Sequence, residues 1–456
     1  MHCRTMLRVH CLSDWTMNRG NLLPGLVFMS CLLGNVMAAD FKAGPDDYRS
    51  YLALLKPGDR LLLEGGDYFR GLPLHDLQGL PEHPIVIEGP QTKPAARFIA
   101  RAGANTVSLA NVRHLVIRNL ELDGRNLPVD AVKAEGHASF AHHVTLENLR
   151  IIGHGNNQQT VGISTKCPAK GWIIRNNFIE GAGTGIYLGN SDGSAPFWAG
   201  LIENNQVLDS PGYNLQIKHQ KARPVEYLED AAPAATIIRN NFFRKSSNSS
   251  IEKMARPNVL LGHFPLQGAG SDDRYLVYGN LFLNNPTEAL FQAEGRLALY
   301  NNIFINATGD AIHIQPHNDI PRDMEIFYNT VLASGAGIIV REPQQVDVSY
   351  TQRVTGNVVA AETTLQVKSA AYNLQMPYQP DLAMTDKYHK LTASLIKRSR
   401  NRKDLPARLV RNYEAYLDWD KEGAGKRQNV LMPGAVLSRE IDNWILRGDA
   451  SAPISN

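Results

Sequence analysis

Short runs of alternating apolar and polar residues recur along most of this chain, and each run breaks at an asparagine before another begins. They read LVIRNLELDG, VTLENLRIIG, WIIRNNFIEG, LIENNQVLDS, TIIRNNFFRK, YLVYGNLFLN, LALYNNIFIN, EIFYNTVLAS and VTGNVVAA. Period-two alternation in β-branched and aromatic residues predicts strands. Taking the asparagine nearest the second run, the anchors are Asn119, Asn148, Asn177, Asn205, Asn241, Asn280, Asn302, Asn329 and Asn357, at successive spacings of 29, 29, 28, 36, 39, 22, 27 and 28. A repeat of this length with strands and no helical pattern inside it implies stacked coils. The expected fold is an all-β solenoid, a parallel β-helix.

Each coil must turn a corner between two strands, and one residue there often takes a left-handed backbone that asparagine tolerates and bulky residues do not. Stacking would also set asparagines above one another, so that their amides pair along the axis. These asparagines are therefore expected to be architecture and not catalysis. Around them Leu115, Ile117 and Leu120, then Ile173 and Phe178, then Ile237 and Phe242 are expected to fill the interior.

The two ends read differently. Arg19 precedes the apolar stretch LLPGLVFMSCLLG and the small-residue ending NVMAAD, which together predict a signal peptide over residues 1–39, cleaved after Ala38 or Ala39. Met17 is an alternative start. The stretch is too short and glycine-interrupted for a spanning helix, so no stable membrane insertion is expected after cleavage, and the location is periplasmic or secreted. Cys167 alone remains once Cys3, Cys11 and Cys31 leave, and it reads as a small buried hydrophobe. Residues 45–55 suggest an amphipathic capping helix, with Asp46 or Asp47 at its start. The β-helix is expected over residues 40–371. Residues 372–456 form an extension with helical stretches and a closing strand near Met432 to Val436, and its basic run Lys397, Arg398, Arg400, Arg402 and Lys403 reads as a solvated face.

Composition adds one exclusion. The formal charge of +3 falls to +1 without the leader's Arg4, Arg8, Arg19 and Asp14, a balance that argues against nucleic acid as a partner. A monomer is expected.

The irregular spacings point to function. Two consecutive intervals, 36 and 39 residues, exceed the plain repeat, and insertions in stacked coils become loops on one face, where sites tend to lie. Titratable residues concentrate there: Lys218, His219 and Arg223 in LQIKHQKARP, then Glu252, Lys253, His263, Asp272, Asp273 and Arg274. Glu294, Arg296, His313, His317 and Arg322 follow within two coils. Adjacent coils stand about 4.8 Å apart, so these residues could line one groove.

At these residues the chain resembles a known group. LLKPGDRLLLEGGDYFRGLPLHDLQG, HPIVIEGP, the asparagine-punctuated coils and DWDKEGAGKRQ…PGA look like the right-handed β-helix proteins of the pectate-lyase-like superfamily. Within it, NLQIKHQ is similar to the alginate and chondroitin lyases of polysaccharide lyase family 6. The resemblance implies that Lys218 takes the place of that family's lysine base. Two departures accompany it: the family's acidic calcium ligands correspond to Pro211 and Tyr213, and its arginine–histidine pair to Gly262 and His263. Calcium as a cofactor is thus left open.

The chemistry points the same way. A uronate lyase needs a base for the proton beside the carboxylate, and cationic groups to neutralise that carboxylate. Lys218, His219 and His263 are the expected catalytic residues, while Arg223, Glu252, Lys253, Arg274, Arg296 and His317 are the expected substrate contacts. The expected activity is β-elimination of an acidic, uronate-containing polysaccharide. Uronate epimerisation begins with the same proton abstraction. A glycoside hydrolase would need two facing carboxylates, for which Asp272, Asp273 and Glu252 are available. A non-catalytic glycan-binding role would use exposed aromatics such as Trp198, Tyr213 and Phe264. Gly153-His154-Gly155 matches a polygalacturonase motif only superficially, because the paired aspartates before it are absent.

Overall fold

The computed structural model describes residues 38–223, 232–318, 321–341 and 352–380. The leader and the extension from residue 381 onward lie outside the described residues. Three columns of strands stack coil upon coil, every ladder between them parallel. One column is a 13-stranded sheet running from Asp40–Ala43 to Ala370–Ala371. A second starts at Gly66–Tyr68 and ends at Leu374–Met376, past the expected limit of residue 371. The third runs from Leu72–His75 through Leu215–Ile217 to Ile312–Ile314. The long strands Thr330–Val340 and Val358–Gln366 pass through the corner between the second and third columns and merge them into one sheet of 21 strands.

The asparagine ladder is real, but the anchors divide between two structural positions. Asn119 and Asn148 are themselves left-handed. From the third anchor onward the left-handed residue is the one before it: Asn176, Asn204, Asn240, Gly279, Asn301, Tyr328, Gly356 and Tyr372. The anchor then turns inward. Asn177 donates from its backbone N–H and its Nδ2 to Asn205 Oδ1, at 3.0 and 2.9 Å. The same link repeats through Asn241, Asn280, Asn302, Asn329 and Asn357 to Asn373. In the two earliest of these coils the inward position is apolar, Leu120 and Leu149.

This one-residue shift corrects the expected core. Leu115, Ile117 and Leu120 are buried in it, but beside Asn177 and Asn241 the interior residues are Ile174, Ile179, Ile238 and Phe243. Ile173, Phe178, Ile237 and Phe242 point to the outer faces, because a shift of one residue moves a strand side chain to the opposite face. Inside, Phe243, Phe282 and Phe304 stack at ring distances of 5.4 and 4.4 Å. Each such burial contributes roughly 1.5–3 kcal/mol.

Outside, the residue just before the corner forms a second ladder. Glu88, Arg118, Glu147, Arg175, Glu203 and Arg239 alternate in sign coil by coil, with ion pairs at 2.7–2.8 Å. Arg239 Nη1 then donates to Tyr278 Oη, and the column continues as the stack Tyr278, Tyr300 and Phe327, with 4.9 Å between successive rings.

At the N-terminal end the helix Tyr48–Leu52 turns Tyr48 onto Tyr68 and Phe98. Asp47 stands at the N-cap, just before the helix, without a side-chain capping bond, and accepts the Gly44 N–H instead, at 2.8 Å. Cys167 is buried, as expected. No helix among the described residues is long and apolar enough to cross a membrane.

The ladder can be tested directly. Asn241→Ala would leave the Asn205 N–H and two carbonyls without partners in the interior, and each such buried group costs about 1–3 kcal/mol. Urea unfolding is expected to show a loss of about 2–4 kcal/mol, whereas Asn240→Gly, which keeps the left-handed backbone, should change stability by under about 1 kcal/mol.

Candidate functional site

The third column carries the site. Within the described residues, the long intervals of the sequence become residues 245–258, which precede the strand Val259–Leu261, and residues 218–223 and 262–273, which follow Leu215–Ile217 and Val259–Leu261. They flank one stretch of the outer face on both sides. A second, shorter amide ladder sets the strand starts: Asn285 Nδ2 donates to Asn258 Oδ1 at 3.0 Å, and Asn285 N–H to Asn306 Oδ1 at 3.2 Å.

Alternation decides what the groove shows. Leu215, Ile217, Val259 and Leu261 face the core, so Tyr187, Gln216, Leu260, Gln292 and His313 form the floor in register. The next outward column holds Lys166, Gly189, Lys218, Gly262 and Glu294, following the same ladders. Lys218 N–H donates to Leu188 O, and Gly262 N–H to Ile217 O, both at 2.9 Å. Lys218 therefore rises between two glycines. A Cβ at Gly262 would come within 2.2 Å of the His219 nitrogen, so the arginine that the resemblance would put there has no room without moving backbone.

Three expected residues meet at this point. The His219 and His263 rings stack at 5.6 Å, one residue from Lys218 and from Gly262. Lys218 is half-buried, and its pKa is lowered by burial and by the nearby Arg256 charge, against an opposing pull from Glu294. Among the described residues no carboxylate comes within ion-pair distance of its amine. Burial also lowers the His219 pKa, with Lys218 and His263 adding to it. Glu294 is buried and accepts the Asn318 backbone N–H at 2.8 Å and Asn318 Nδ2 at 3.2 Å. His317 stands exposed over the floor, 3.2 Å from Gln292 Oε1.

Other expected contacts are placed elsewhere. Arg223 is buried, its guanidinium paired with both oxygens of Asp273 and standing over the Trp198 ring, so it braces the loop base. Arg274 begins a strand of the 13-stranded sheet and acts on Glu325 across that sheet's outer face. Arg296 is held between Asp272 and Asp323. Glu252 and Lys253 are exposed on the 3₁₀ turn Glu252–Met254 of the flanking loop. Trp198 and Phe264 are core residues and not a binding surface. His154 is fully buried against Val129 O at 2.9 Å.

Sequence reasoning missed three groups. Arg256 stacks over the Tyr213 ring, 5.8 Å from its centroid, at the groove edge. Lys166 stands two coils from Lys218, with its Nζ 3.5 Å from the Tyr187 ring centroid. Lys245 is buried beneath the loops and donates to Arg256 O at 2.8 Å and Pro211 O at 3.4 Å. The strand register was the available signal: Lys166 falls in the column of Lys218 once the coils are aligned.

The donor set does not fit calcium. Pro211 offers no side-chain oxygen, the Tyr213 hydroxyl is held neutral by burial, and a guanidinium covers its ring. Among the described residues no three acidic, histidine or cysteine side chains are placed to share a metal.

Comparison with known proteins supports the fold. Residues 161–349 match the family model described as right handed beta helix region, and the chain is a right-handed parallel β-helix. No curated protein matches the sequence. The lacto-N-biosidase of glycoside hydrolase family 136 from Eubacterium ramulus is similar in structure, with a TM-score of 0.50 and 13% identity over 74% of this chain and 68% of that one. A family 6 alginate lyase gives a TM-score of 0.40 and 13% identity over 74% of this chain, and the match spans about half of its length, 51%. A mannuronic acid specific family 6 lyase from human gut microbiota gives 0.40 and 12% identity, covering 91% of this chain and all of that one (100%).

Lys245 supplies a pH test. Burial lowers its pKa to about 7, below the unfolded value, so between pH 7 and about 10.5 the folded chain has shed a proton that the unfolded chain keeps. Stability should therefore rise with pH through that window. Urea unfolding at several pH values should show that rise in the parent, and Lys245→Met should flatten it.

Proposed function

We propose that this chain cleaves an acidic polysaccharide by β-elimination, with Lys218 as the base. One observation carries the reading: a half-buried lysine, with no carboxylate paired to it among the described residues, rises between two glycines in the groove that the two insertions flank. Burial disfavours its charge, and a lysine that gives up its proton easily can act as a general base.

In this reading a uronate lies across the floor near Tyr187 and Gln216. Neutral Lys218 takes the proton beside the carboxylate, the electron pair forms the ring double bond, and the glycosidic oxygen departs. That oxygen receives a proton from His219 or His263, which stand together beside Lys218. Arg256 and Tyr213 shape one wall, and His317 reaches over the far end of the floor. The predicted leader would deliver the protein to the periplasm or outside the cell, where such polymers occur. The lacto-N-biosidase similar in structure is a glycosidase, so a carbohydrate substrate suits this scaffold.

The hydrolase reading has less support. Asp272 and Asp273 are engaged by Arg296 and Arg223, and Glu294 is buried under Asn318. No free pair of facing carboxylates stands over the groove among the described residues.

Ultraviolet absorbance of the unsaturated uronate should rise when the protein is mixed with one member of a panel of alginate, pectate, chondroitin and other uronate polymers. Lys218→Ala should cut the rate by about 10²–10⁴-fold and leave the melting temperature within a degree or two. Retained turnover would remove Lys218 from the mechanism, and a flat trace across the whole panel would contradict elimination.

A further inference from the structure

Lys166 is a second cation in the same groove, and among the described residues it forms no ion pair with a carboxylate. It follows the strand Val161–Thr165, in the outward column that holds Gly189 and Lys218. Two coil steps of about 4.8 Å separate it from Lys218, and Gly189 puts no side chain of its own between them. Its amine lies over the Tyr187 ring, at 3.5 Å from the centroid, and Tyr187 belongs to that intervening coil. Lys166 thus leans toward Lys218.

Charged groups face it from the neighbouring coils. Lys133 and Lys218 repel its charge, and Asp130 attracts it. Asp130 is already engaged by Lys133 at 3.4 Å, by Ser164 Oγ at 3.2 Å and by the Val161 N–H at 2.8 Å. Glu135, the outward neighbour on the preceding coil, accepts from Asn105 and Ser108, at 2.9 Å each. Among the described residues no carboxylate pairs with Lys166. A desolvated ammonium against an aromatic face, with no carboxylate paired to it among the described residues, is a place built for an anion.

We propose that Lys166 receives the substrate's carboxylate and neutralises it during proton abstraction, the task that the resemblance would give to calcium. This inference rests on the acidic-polysaccharide reading of the groove. The negative charge that develops on the carboxylate as the proton leaves is stabilised by a cation already in place.

The test uses the Lys218→Ala protein, so that binding is read without turnover. The probes are tetrasaccharides cut from alginate and from pectate, each with its carboxyl-reduced counterpart, measured by calorimetry. Adding Lys166→Met should weaken binding of the acidic probe at least tenfold and leave the reduced probe unchanged, while Lys166→Arg should restore most of the loss. Burial lowers the Lys166 pKa to about 8, so binding should weaken above that pH with Lys166 and persist with Lys166→Arg.

Equal losses for acidic and reduced probes, or no loss at all, would overturn the assignment. Absence of binding by every acidic probe would overturn both readings. A selective loss in Lys166→Met together with no elimination by the parent would keep the clamp and discard the lyase.

Discussion

The side-chain amide that bridges one coil to the next is the constraint on which the rest of this molecule depends. Each inward asparagine satisfies backbone groups of the previous coil, and from Asn241 onward of its own as well, so a coil cannot slide along or rotate without stranding buried donors. The left-handed residue before it sets the corner, and that corner fixes the face each following side chain meets. With the register locked at this point, the core aromatics stack, the charges on the outer face alternate, and the third column repeats its outward positions from coil to coil.

The groove is a consequence of that repetition. A stacked column ordinarily puts like side chains in contact, and here glycines interrupt it on both sides of Lys218. The interruption creates space for a ring between two lysines, and the two inserted stretches raise walls around it. Among the described residues neither lysine forms an ion pair with a carboxylate. The stability given up to bury their charge is compensated by the ladders on either side, since a solenoid's stability is summed over its coils.

Much of this architecture was readable in the chain. The asparagine period gave the coils, the two long intervals located the walls, and Lys218, His219 and His263 were picked from one short stretch and the next coil. What failed did so for definable reasons. Choosing the asparagine nearest the second run placed Asn148 and Asn177 in one column, although the structural partner of Asn148 is Asn176, and every inward and outward assignment after it moved by one. The alternation Arg118, Glu147, Arg175, Glu203, Arg239 was visible in the same runs and would have fixed the register. Arg223, Arg274 and Arg296 drew attention as cations, yet their partners Asp273, Glu325 and Asp323 are set by tertiary contacts that no local pattern reveals. Lys166 was passed over because its coil carries no insertion.

The account stands on a carboxylate lying between Lys166 and Lys218, and the most direct measurement is a crystal structure of the Lys218→Ala protein with an acidic oligosaccharide bound. The expected result is a chain crossing the third column over Tyr187, with a uronate carboxylate on the Lys166 amine and its acidic carbon facing the vacated side of residue 218. A sugar bound on another face of the β-helix, or in this groove with its carboxylate turned away from both positions, would contradict it.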